Sequence, residues 1–415
     1  MRISIQTLGT RGDVQPFIAL ALGLLRRGHE VQLAAPAQLA SLVESRGVRC
    51  APLPGEFLDM LDTPEGKAAV AGGATFSAGL KLLGHVRPLM RRLLDEEWAA
   101  VRAFEPDLVL HHPKSLAAPH IAERLSLPRI LASPLPGFTP TSAFPSPLVP
   151  FASLGPFNKA SHALAARGGE LLFGGVLREW RESSLGLRAR PSVRVSPVAT
   201  LYAYSPRVVP VPPDWGDDVV VTGYWFLDEE AWQPPDELAA FLAAGARPIY
   251  VGFGSMPGID PKKLATDVVA ALAKTGNRGV LSTGAGALAL DDVPPHVHVV
   301  SGSVPHDRLF RSVSATILHG GAGTTAASLR AGVPTIVCPF FGDQPFWARR
   351  VEALGVGKAL DRKRLSADAL AAAIEAASTS QMRARAEELG AEIRREDGVA
   401  AAVACIERSV THPRA

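Results

Sequence analysis

Short apolar runs that alternate with amphipathic helical patterns constrain this chain more than any other feature of its sequence. The alternation occurs twice, once on each side of an aromatic segment with two prolines at residues 224–235. Strand patterns that alternate with helix patterns predict parallel sheets covered by helices. A chain of 415 residues also exceeds the size of one ordinary core. We therefore predict two doubly wound, Rossmann-like α/β domains that face each other across a cleft.

The periodicity also places the individual elements. In the first half we predict strands at residues 3–8, 30–35, 48–53, 107–111, 129–132 and 200–204, and helices at 15–27, 115–125 and 158–184. In the second half we predict strands at residues 248–253, 280–283, 297–301, 316–319 and 335–339, and helices at 261–274 and 325–331. The predicted boundaries give an N-terminal domain, a linker, a C-terminal domain and a tail at residues 1–223, 224–235, 236–390 and 391–415. The tail is either a solvated edge of the second domain or a helix that returns to the first.

Composition excludes several classes of protein. The 43 basic and 40 acidic residues nearly cancel and form no basic stripe, which argues against nucleic-acid binding. The three cysteines are far apart and lack metal-ligand spacing, so we expect neither a zinc site nor a disulfide framework. The N-terminus passes directly into a strand pattern and no long apolar run follows, so we expect no signal peptide, no transmembrane segment and a cytoplasmic location.

A glycine-rich turn in the second half has the composition of a phosphate-binding loop. It follows a predicted strand, opens a helix and contains His319, Gly321, Ala322, Gly323, Thr324 and Thr325. Small residues let main-chain N–H groups approach an anion, and the positive end of the helix dipole favours it. The spacing fits a dinucleotide fingerprint poorly, and no Lys-Ser/Thr ending is present, which excludes a P-loop. A tight turn with a core histidine remains the alternative.

Polar residues follow two other strands of the second half. Asp343 and Gln344 come after the strand predicted at 335–339, where a carboxylate beside an amide suits the hydroxyls of a sugar. Asp343 would alternatively cap the next helix. Ser255 ends the first strand of this half and would reach the same phosphates, although a simple turn explains it nearly as well.

Several long motifs resemble one enzyme family. Residues 319–344 read HGGAGTTAASLRAGVPTIVCPFFGDQ, and residues 9–16, 112–114, 118–123, 133–136 and 394–399 read GTRGDVQP, HPK, APHIAE, SPLP and RREDGV. These motifs resemble those of family-one nucleotide-sugar glycosyltransferases, in particular sterol glucosyltransferases and related bacterial enzymes that glycosylate natural products. The resemblance runs from the first strand to the last helix. It implies the GT-B fold, with an acceptor-binding first domain and a nucleotide-sugar-binding second domain.

The resemblance also implies roles for the donor site. His319 and the backbone of residues 321–325 are expected to bind the diphosphate, Asp343 and Gln344 the sugar, and the stretch containing Val304 the uracil. The donor is expected to be UDP-glucose, bound without a metal ion or cofactor, with Thr10, Arg11 and Gly12 beside it and Arg11 offsetting phosphate charge. An acidic residue that grips the ribose in plant relatives is replaced by Ala327. The residue that recognises the ribose is therefore not identified from sequence.

Transfer to an alcohol requires a base for the hydroxyl proton and stabilisation of the leaving diphosphate. Asp13 is the leading candidate for the base, because it lies in the loop after the first strand and matches an aspartate of the sterol-type relatives. It would alternatively act only as the N-cap of the helix at 15–27. His111 and His112 follow another strand and are the other candidates, with His112 as a supporting group. Attack from behind the leaving group would invert the configuration.

The acceptor site is predicted in a loop with seven prolines at residues 134–156. Its apolar side chains would form the wall of a pocket for a flat ring system, near His111, and they are Phe138, Phe144, Leu148 and Phe151. Sterols, triterpenoids, polyketides and flavonoids all fit this description. We expect no nucleic-acid partner, and peripheral membrane contact stays open for a sterol acceptor. A nucleotide-sugar epimerase and a non-catalytic nucleotide-sugar-binding protein of the same fold remain the alternatives.

Overall fold

The computed structural model describes most of the chain. The described residues are 1–56, 76–190, 196–229, 231–254, 260–283, 286–290, 292–302 and 304–411.

The first half of the chain forms a parallel sheet of seven strands. They are β1 (Arg2–Gln6), β2 (Glu30–Pro36), β3 (Arg49–Leu53), β4 (Leu108–His111), β5 (Arg129–Ser133), β6 (Ala199–Tyr202) and β7 (Val219–Val221). Their spatial order is β3-β2-β1-β4-β5-β6-β7. The described helices are α1 (Arg11–Arg26), α2 (Ala40–Glu44), α3 (Phe76–Phe104), α4 (Ala118–Leu125) and α5 (Asn158–Ser183). Because β1 and β4 are neighbours in the middle of the sheet, the loops after them lie side by side.

The second half repeats this architecture with six parallel strands. They are β8 (Ile249–Gly252), β9 (Gly279–Ser282), β10 (Val297–Val300), β11 (Ala315–Leu318), β12 (Thr335–Val337) and β13 (Gly357–Ala359), in the order β10-β9-β8-β11-β12-β13. The described helices are α6 (Asp236–Ala243), α7 (Pro261–Lys274), α8 (His306–Leu309), α9 (Ala322–Ala331), α10 (Gln344–Ala353), α11 (Ala367–Ala377), α12 (Ser380–Arg394) and α13 (Gly398–Thr411). Two doubly wound α/β domains are thus present, as the alternating pattern predicted.

The last helix packs on the first domain. Ala402, Val403 and Ile406 of α13 are buried in the same apolar cluster as β1 and α1. Glu407 accepts hydrogen bonds from Arg27 at 3.2 Å and lies 3.1 Å from Nε2 of His29. The chain enters α13 at Gly398, where a Cβ would lie 2.5 Å from the carbonyl carbon of Gly223. Because glycine has no Cβ, the tail can cross directly over the segment that joins the two domains.

Several predicted elements differ from the structure, and among them α4 begins at Ala118 rather than at residue 115. Helix α1 begins at Arg11 rather than at residue 15, because Thr10 is its N-cap. Helix α9 begins at Ala322 rather than at residue 325, so the glycine-rich turn forms its first turn. The strand predicted at 200–204 is not the last of its half, since the three-residue β7 follows it. Within the described ranges, no helix is long and apolar enough to cross a membrane.

Candidate active site

Asp13 sits in the first turn of α1 and is held there by its own helix. The main-chain N–H of Thr10 donates to Oδ2 of Asp13 at 2.8 Å, and the Thr10 hydroxyl donates to the same atom at 3.2 Å. This is a capping box in which Thr10 is the N-cap and Asp13 the acidic third residue. The expectation that Asp13 is itself the N-cap is therefore wrong. Because Thr10 contacts Asp13, Thr10 lies on the Asp13 side of the site.

Two residues of the loop after β4 approach the same carboxylate. Nζ of Lys114 lies 2.7 Å from Oδ2 of Asp13, and Nε2 of His112 lies 3.8 Å from Oδ1. Burial acts to raise the pKa of Asp13. The charge of Lys114, the nearby His112 and the hydrogen bonds outweigh it and hold that pKa below its ordinary value. The side chain is therefore an anion in a mostly buried place.

The tautomer of His112 follows from its surroundings. Its Nδ1 accepts the main-chain N–H of Lys114 at 3.1 Å, so a neutral ring carries its proton on Nε2, the atom that faces Asp13. Burial lowers the pKa of His112 to about 4, which keeps the ring neutral near pH 7. A ring with this tautomer presents a donor, not a base, to the Asp13 side of the site.

His111 points its ring nitrogens into the first domain. Nδ1 lies 3.3 Å from the carbonyl oxygen of His112, and Nε2 lies 3.4 Å from a guanidinium nitrogen of Arg129. Burial and the charge of Arg129 lower the pKa of His111 to about 3. The structure brings His112 to Asp13 but does not bring the His111 ring there.

Gly9 leaves the space in which Asp13 and Lys114 meet. Its φ is +117°, a backbone conformation that residues with a side chain rarely adopt. A Cβ at this position would lie 2.2 Å from Oδ2 of Asp13 and 2.8 Å from Nζ of Lys114. The first residue of the GTRGDVQP motif is thus glycine because a side chain there would displace Asp13 and Lys114.

The glycine-rich turn of the second domain, where the sequence predicts a phosphate cradle, forms the start of α9. Gly321 is the N-cap of α9, and the N–H of Thr325 is the first to bond within the helix, to the Gly321 carbonyl. The N–H groups of Ala322, Gly323 and Thr324 belong to the first turn and have no partner within the helix. The hydroxyl of Thr325 is buried and has no hydrogen-bond partner among the described residues. An anion at this helix end would meet donors from the main chain.

His319 lies against this turn. A Cβ at Gly321 would be 2.6 Å from Nε2 of His319, so only glycine leaves room for the ring. Burial lowers the pKa of His319 to about 4, and the neutral ring therefore offers a hydrogen bond rather than a charge. Ser255, expected beside the same phosphates, lies outside the described residues.

Asp343 and Gln344 occupy the start of α10. Asp343 holds the N-cap position, yet its side chain caps no main-chain group and instead accepts the indole N–H of Trp347 at 2.7 Å. Oε1 of Gln344 accepts the N–H groups of Phe340 and Phe341, at 2.7 Å and 3.3 Å, and so shapes the loop after β12. Burial raises the pKa of Asp343, and the nearby charge of Asp13 adds to the rise. Asp13 and Asp343, from different domains, are thus close enough to interact.

A cavity of about 300 Å³ lies between the domains, next to Gly12 and the start of α9. Among the predicted site residues that do not line it are Asp13, His319, Asp343 and Gln344. The first domain contributes Arg11 and Gly12, and the second contributes Val304 and the start of α9. The joining segment supplies one wall, made by Tyr224, Trp225, Phe226, Leu227, Asp228 and Glu229. Sequence reasoning missed this wall, because the segment breaks the strand–helix periodicity. The adjacent aromatic and acidic residues were its visible signal.

Ion pairs fix the joining segment to both domains. Glu229 pairs with Arg46 and lies 3.8 Å from Arg11, both in the first domain. Its main-chain N–H donates to Asp307 of the second domain at 3.2 Å. Arg330 of α9 donates to both carboxylate oxygens of Asp228, at 2.7 Å and 2.8 Å. Ion pairs and a hydrogen bond therefore connect the walls of the cavity.

The candidate acceptor residues do not line this cavity. The ring of Phe144 lies 5.8 Å from that of Phe346 in the second domain, so Phe144 packs between the domains. Phe138 is half-buried, whereas Leu148 and Phe151 are exposed. The proline-rich loop also reaches α10, where Arg349 donates to the carbonyl oxygen of Pro150 at 2.9 Å. It is thus an ordered bridge between the domains.

Two parallel sheets, an interdomain cavity and a helix start facing that cavity define a protein of the GT-B class. Three solved structures share the fold over nearly their whole length, at 20–22% identity. The glycotransferase of kitacinnamycin is 22% identical with a TM-score of 0.72, covering 99% of both chains. The calicheamicin glycosyltransferase CalG4 is 20% identical with a TM-score of 0.72, covering 100% of this chain and 99% of that one. The spinosyn rhamnosyltransferase SpnG, solved with spinosyn aglycone, is 21% identical with a TM-score of 0.65, covering 98% and 100%.

The sequence comparisons agree with the fold. Residues 3–145 match the glycosyltransferase family 28 N-terminal domain, and residues 267–404 match the erythromycin biosynthesis protein CIII-like C-terminal domain. The chain is 38% identical to a sterol 3-beta-glucosyltransferase of Neosartorya fischeri, covering 100% of this chain and 30% of that protein. A sterol 3-beta-glucosyltransferase of Emericella nidulans is also 38% identical, with 99% and 30% covered. The chain has the GT-B fold and matches a glycosyltransferase-type domain in each half, and it spans about 30% of the length of these curated relatives.

Proposed function

We propose that this chain is an inverting hexosyltransferase that moves glucose from UDP-glucose to a hydroxyl of an apolar acceptor, forming a β-O-glycoside. The observation that carries the proposal is the interdomain cavity lined by Gly12, the neighbour of Asp13, and by Ala322, Gly323 and Thr324 at the start of α9. The candidate base and the candidate phosphate cradle thereby flank one interdomain space. Neither domain provides this arrangement alone.

The donor side supports binding of a diphosphate without a metal ion. The first-turn N–H groups of α9 and the helix dipole favour an anion, and the unpartnered hydroxyl of Thr325 adds a donor. Arg11 lines the same cavity and carries a positive charge that would face the phosphates. Val304 and the joining segment would enclose the nucleoside. The N–H groups and Arg11 would then stabilise the charge that develops on the leaving diphosphate.

The acceptor side supports Asp13 as the base. Its Oδ2 takes the donors of Thr10 and Lys114, whereas Oδ1 accepts no hydrogen bond from the described residues. Oδ1 is therefore the atom that would take the acceptor's proton. As the acceptor oxygen bonds to the anomeric carbon, the bond from that carbon to the diphosphate oxygen breaks and its electron pair leaves with UDP. Attack opposite the diphosphate inverts the configuration.

The low pKa of Asp13 places the proton transfer late in the reaction. A weakly basic carboxylate cannot deprotonate a free alcohol to any useful extent. The alcohol becomes acidic once its oxygen shares electrons with the anomeric carbon, and Oδ1 then accepts the proton. His112 assists by presenting its neutral ring to Asp13 rather than by replacing it.

An apolar acceptor is supported by the relatives and by the surface near the proline-rich loop. The curated relatives are sterol 3-beta-glucosyltransferases, and one structural neighbour was solved with the spinosyn aglycone. Of the seven exposed large apolar side chains in the described residues, five lie in residues 148–172. This concentration fits the entry of a sterol, triterpenoid, flavonoid or polyketide, including one presented at a membrane surface.

The proposal is tested by incubating the protein with UDP-glucose and a mixture of sterols, flavonoids and macrolides in the presence of EDTA. The expected product carries one added hexose, detected by mass spectrometry, and NMR of the purified glycoside shows the β configuration. An α-glycoside would refute inversion, and activity lost in EDTA but restored by a divalent metal would refute metal independence. If UDP-glucose is converted to another nucleotide sugar, the protein is an epimerase. Binding of UDP without any product would identify a binding protein.

A further inference from the structure

The lysine of the HPK motif, Lys114, contacts the candidate base. Lys114 Nζ lies 2.7 Å from Oδ2 of Asp13, the oxygen that also accepts the N–H of Thr10 at 2.8 Å. These bonds hold one carboxylate oxygen and leave Oδ1 directed away from them. We propose that Lys114 is a positioning residue that keeps Asp13 ionised and turns Oδ1 toward the acceptor. This inference rests on the proposed function, because it assigns Lys114 to that same site.

The charges around Asp13 favour such a cation. The negative charge of Asp13 acts against ionisation of Asp343 on the second domain, and burial disfavours ionisation of both carboxyl groups. His112 also acts to lower the pKa of Asp13, but burial lowers its own pKa to about 4, so its ring is neutral near pH 7. Arg11, on the same helix as Asp13, lies near Glu229 and lines the donor cavity instead. Among the groups that face Asp13 in the described residues, Lys114 therefore provides the compensating positive charge.

Hydrogen bonds to His112 and Glu97 hold the loop that carries Lys114 in place. The N–H of Lys114 donates to Nδ1 of His112 at 3.1 Å, and the N–H of Ser115 donates to the His112 carbonyl at 3.0 Å. The Ser115 hydroxyl donates to Glu97, a fully buried carboxyl group on α3. Because burial raises the pKa of Glu97 to about 8, this group is mostly neutral at pH 7 and adds little charge beneath the loop. The backbone under Lys114 is thus fixed while its side chain reaches Asp13 past Gly9.

Removal of the Lys114 charge should raise the pKa of Asp13. An opposite charge within a few ångströms lowers a carboxyl pKa by about 1–3 units, and the lower end applies here because Lys114 is half-exposed. Without Lys114, Asp13 would be protonated at a higher pH. The acidic limb of kcat/KM would then move upward, since protonated Asp13 cannot accept the acceptor's proton.

The test compares Lys114→Met, Lys114→Arg and Lys274→Met. Lys274 serves as the matched control, because it also forms an ion pair with a carboxylate, that of Asp368. It lies at the C-terminal end of α7, on the side of the second sheet that faces away from the cleft. We expect Lys114→Met to move the acidic limb of kcat/KM up by about one pH unit. Lys114→Arg should keep the wild-type limb, and Lys274→Met should not change it. A ¹³C titration of the Asp13 carboxyl group, assigned with Asp13→Asn, should show the same upward shift.

Two outcomes would overturn the inference. One is a Lys114→Met enzyme with an unchanged acidic limb and an unchanged Asp13 titration. The other is a raised KM for UDP-glucose with an unchanged kcat and Asp13 titration, which would make Lys114 a donor ligand instead. The ¹³C titration needs no turnover. A wild-type protein that transfers no sugar would therefore refute the proposed function while the Asp13–Lys114 coupling is still measured.

Discussion

Lys114 and Asp13 meet at 2.7 Å across two neighbouring loops, one after β4 and one after β1. Asp13 also closes a capping box with Thr10, so the capping and catalytic interpretations of this residue are compatible. The capping bonds use Oδ2 and leave Oδ1 for the proposed proton transfer. A residue that holds a helix start in place can thus also present a rigid base.

Replacement of His112 by asparagine should preserve activity. The asparagine carbonyl can accept the N–H of Lys114 as Nδ1 of His112 does, and its NH₂ group can face Asp13 as a donor. We expect kcat/KM to stay within about tenfold of wild type, well short of the effect of removing a general base. A loss of about 1,000-fold in His112→Asn would instead identify the histidine as the base.

Gly9→Ala should abolish transfer without unfolding the protein. The new Cβ would occupy the space where Oδ2 of Asp13 and Nζ of Lys114 meet, and the positive φ adds strain of about 1–2 kcal/mol. Gly28→Ala is the matched control, because Gly28 also has a positive φ but a Cβ there would meet no neighbouring group within 4 Å. Gly9→Ala should lose more thermal stability than Gly28→Ala, because only its Cβ displaces neighbouring groups, and only Gly9→Ala should lose turnover. Equal turnover in the two variants would show that the site tolerates a side chain at residue 9.

Asp343→Asn should weaken recognition of the sugar but not of the nucleotide. The asparagine can still accept the indole N–H of Trp347, which preserves the local fold. Loss of a charged hydrogen bond to a sugar hydroxyl corresponds to about a tenfold rise in KM for UDP-glucose. The affinity for UDP, measured by calorimetry, should be unchanged. Weaker UDP binding by the same factor would place Asp343 at the nucleotide instead.

Glu97→Gln should flatten the pH dependence of stability. Burial raises the pKa of Glu97 from 4.5 to about 8, so the unfolded chain ionises this group at a lower pH than the folded protein does. The stability linked to Glu97 is therefore complete below about pH 4.5 and is lost as the pH rises toward 8. The Tm of wild type should fall more between these pH values than the Tm of Glu97→Gln. Parallel Tm curves would show that Glu97 is ionised in the folded protein.

The sequence predicted what depends on local patterns. The turn at 319–325 was recognisable because glycines, hydroxyls and a preceding strand are adjacent in the chain, and Asp343 and Gln344 follow the next strand in the same way. The α/β alternation likewise predicted both sheets. The predicted start of α1 is too late, because the Thr10–Asp13 capping box lies in a stretch whose pattern indicates a loop.

Relationships between distant segments were not predictable. Nothing near Lys114 in the sequence indicates that it faces Asp13, since their contact depends on β1 and β4 being neighbours in the sheet. The joining segment forms a wall of the cavity only because both domains close on it. The aromatic residues of the proline-rich loop matched an acceptor wall by composition, yet Phe144 packs on Phe346 across the interface. Amino-acid composition indicates that a segment is apolar but not which residues pack against it.

The most direct measurement compares Asp13→Asn with Asp107→Asn for both sugar transfer and UDP affinity. Asp107 also accepts a main-chain N–H, from Arg2 at 2.7 Å, but it precedes β4 at the sheet edge away from the cleft. Asp13→Asn should lose about 100-fold or more in kcat and bind UDP as wild type does, whereas Asp107→Asn should keep both. Full transfer by Asp13→Asn would contradict the assignment of Asp13 as the base.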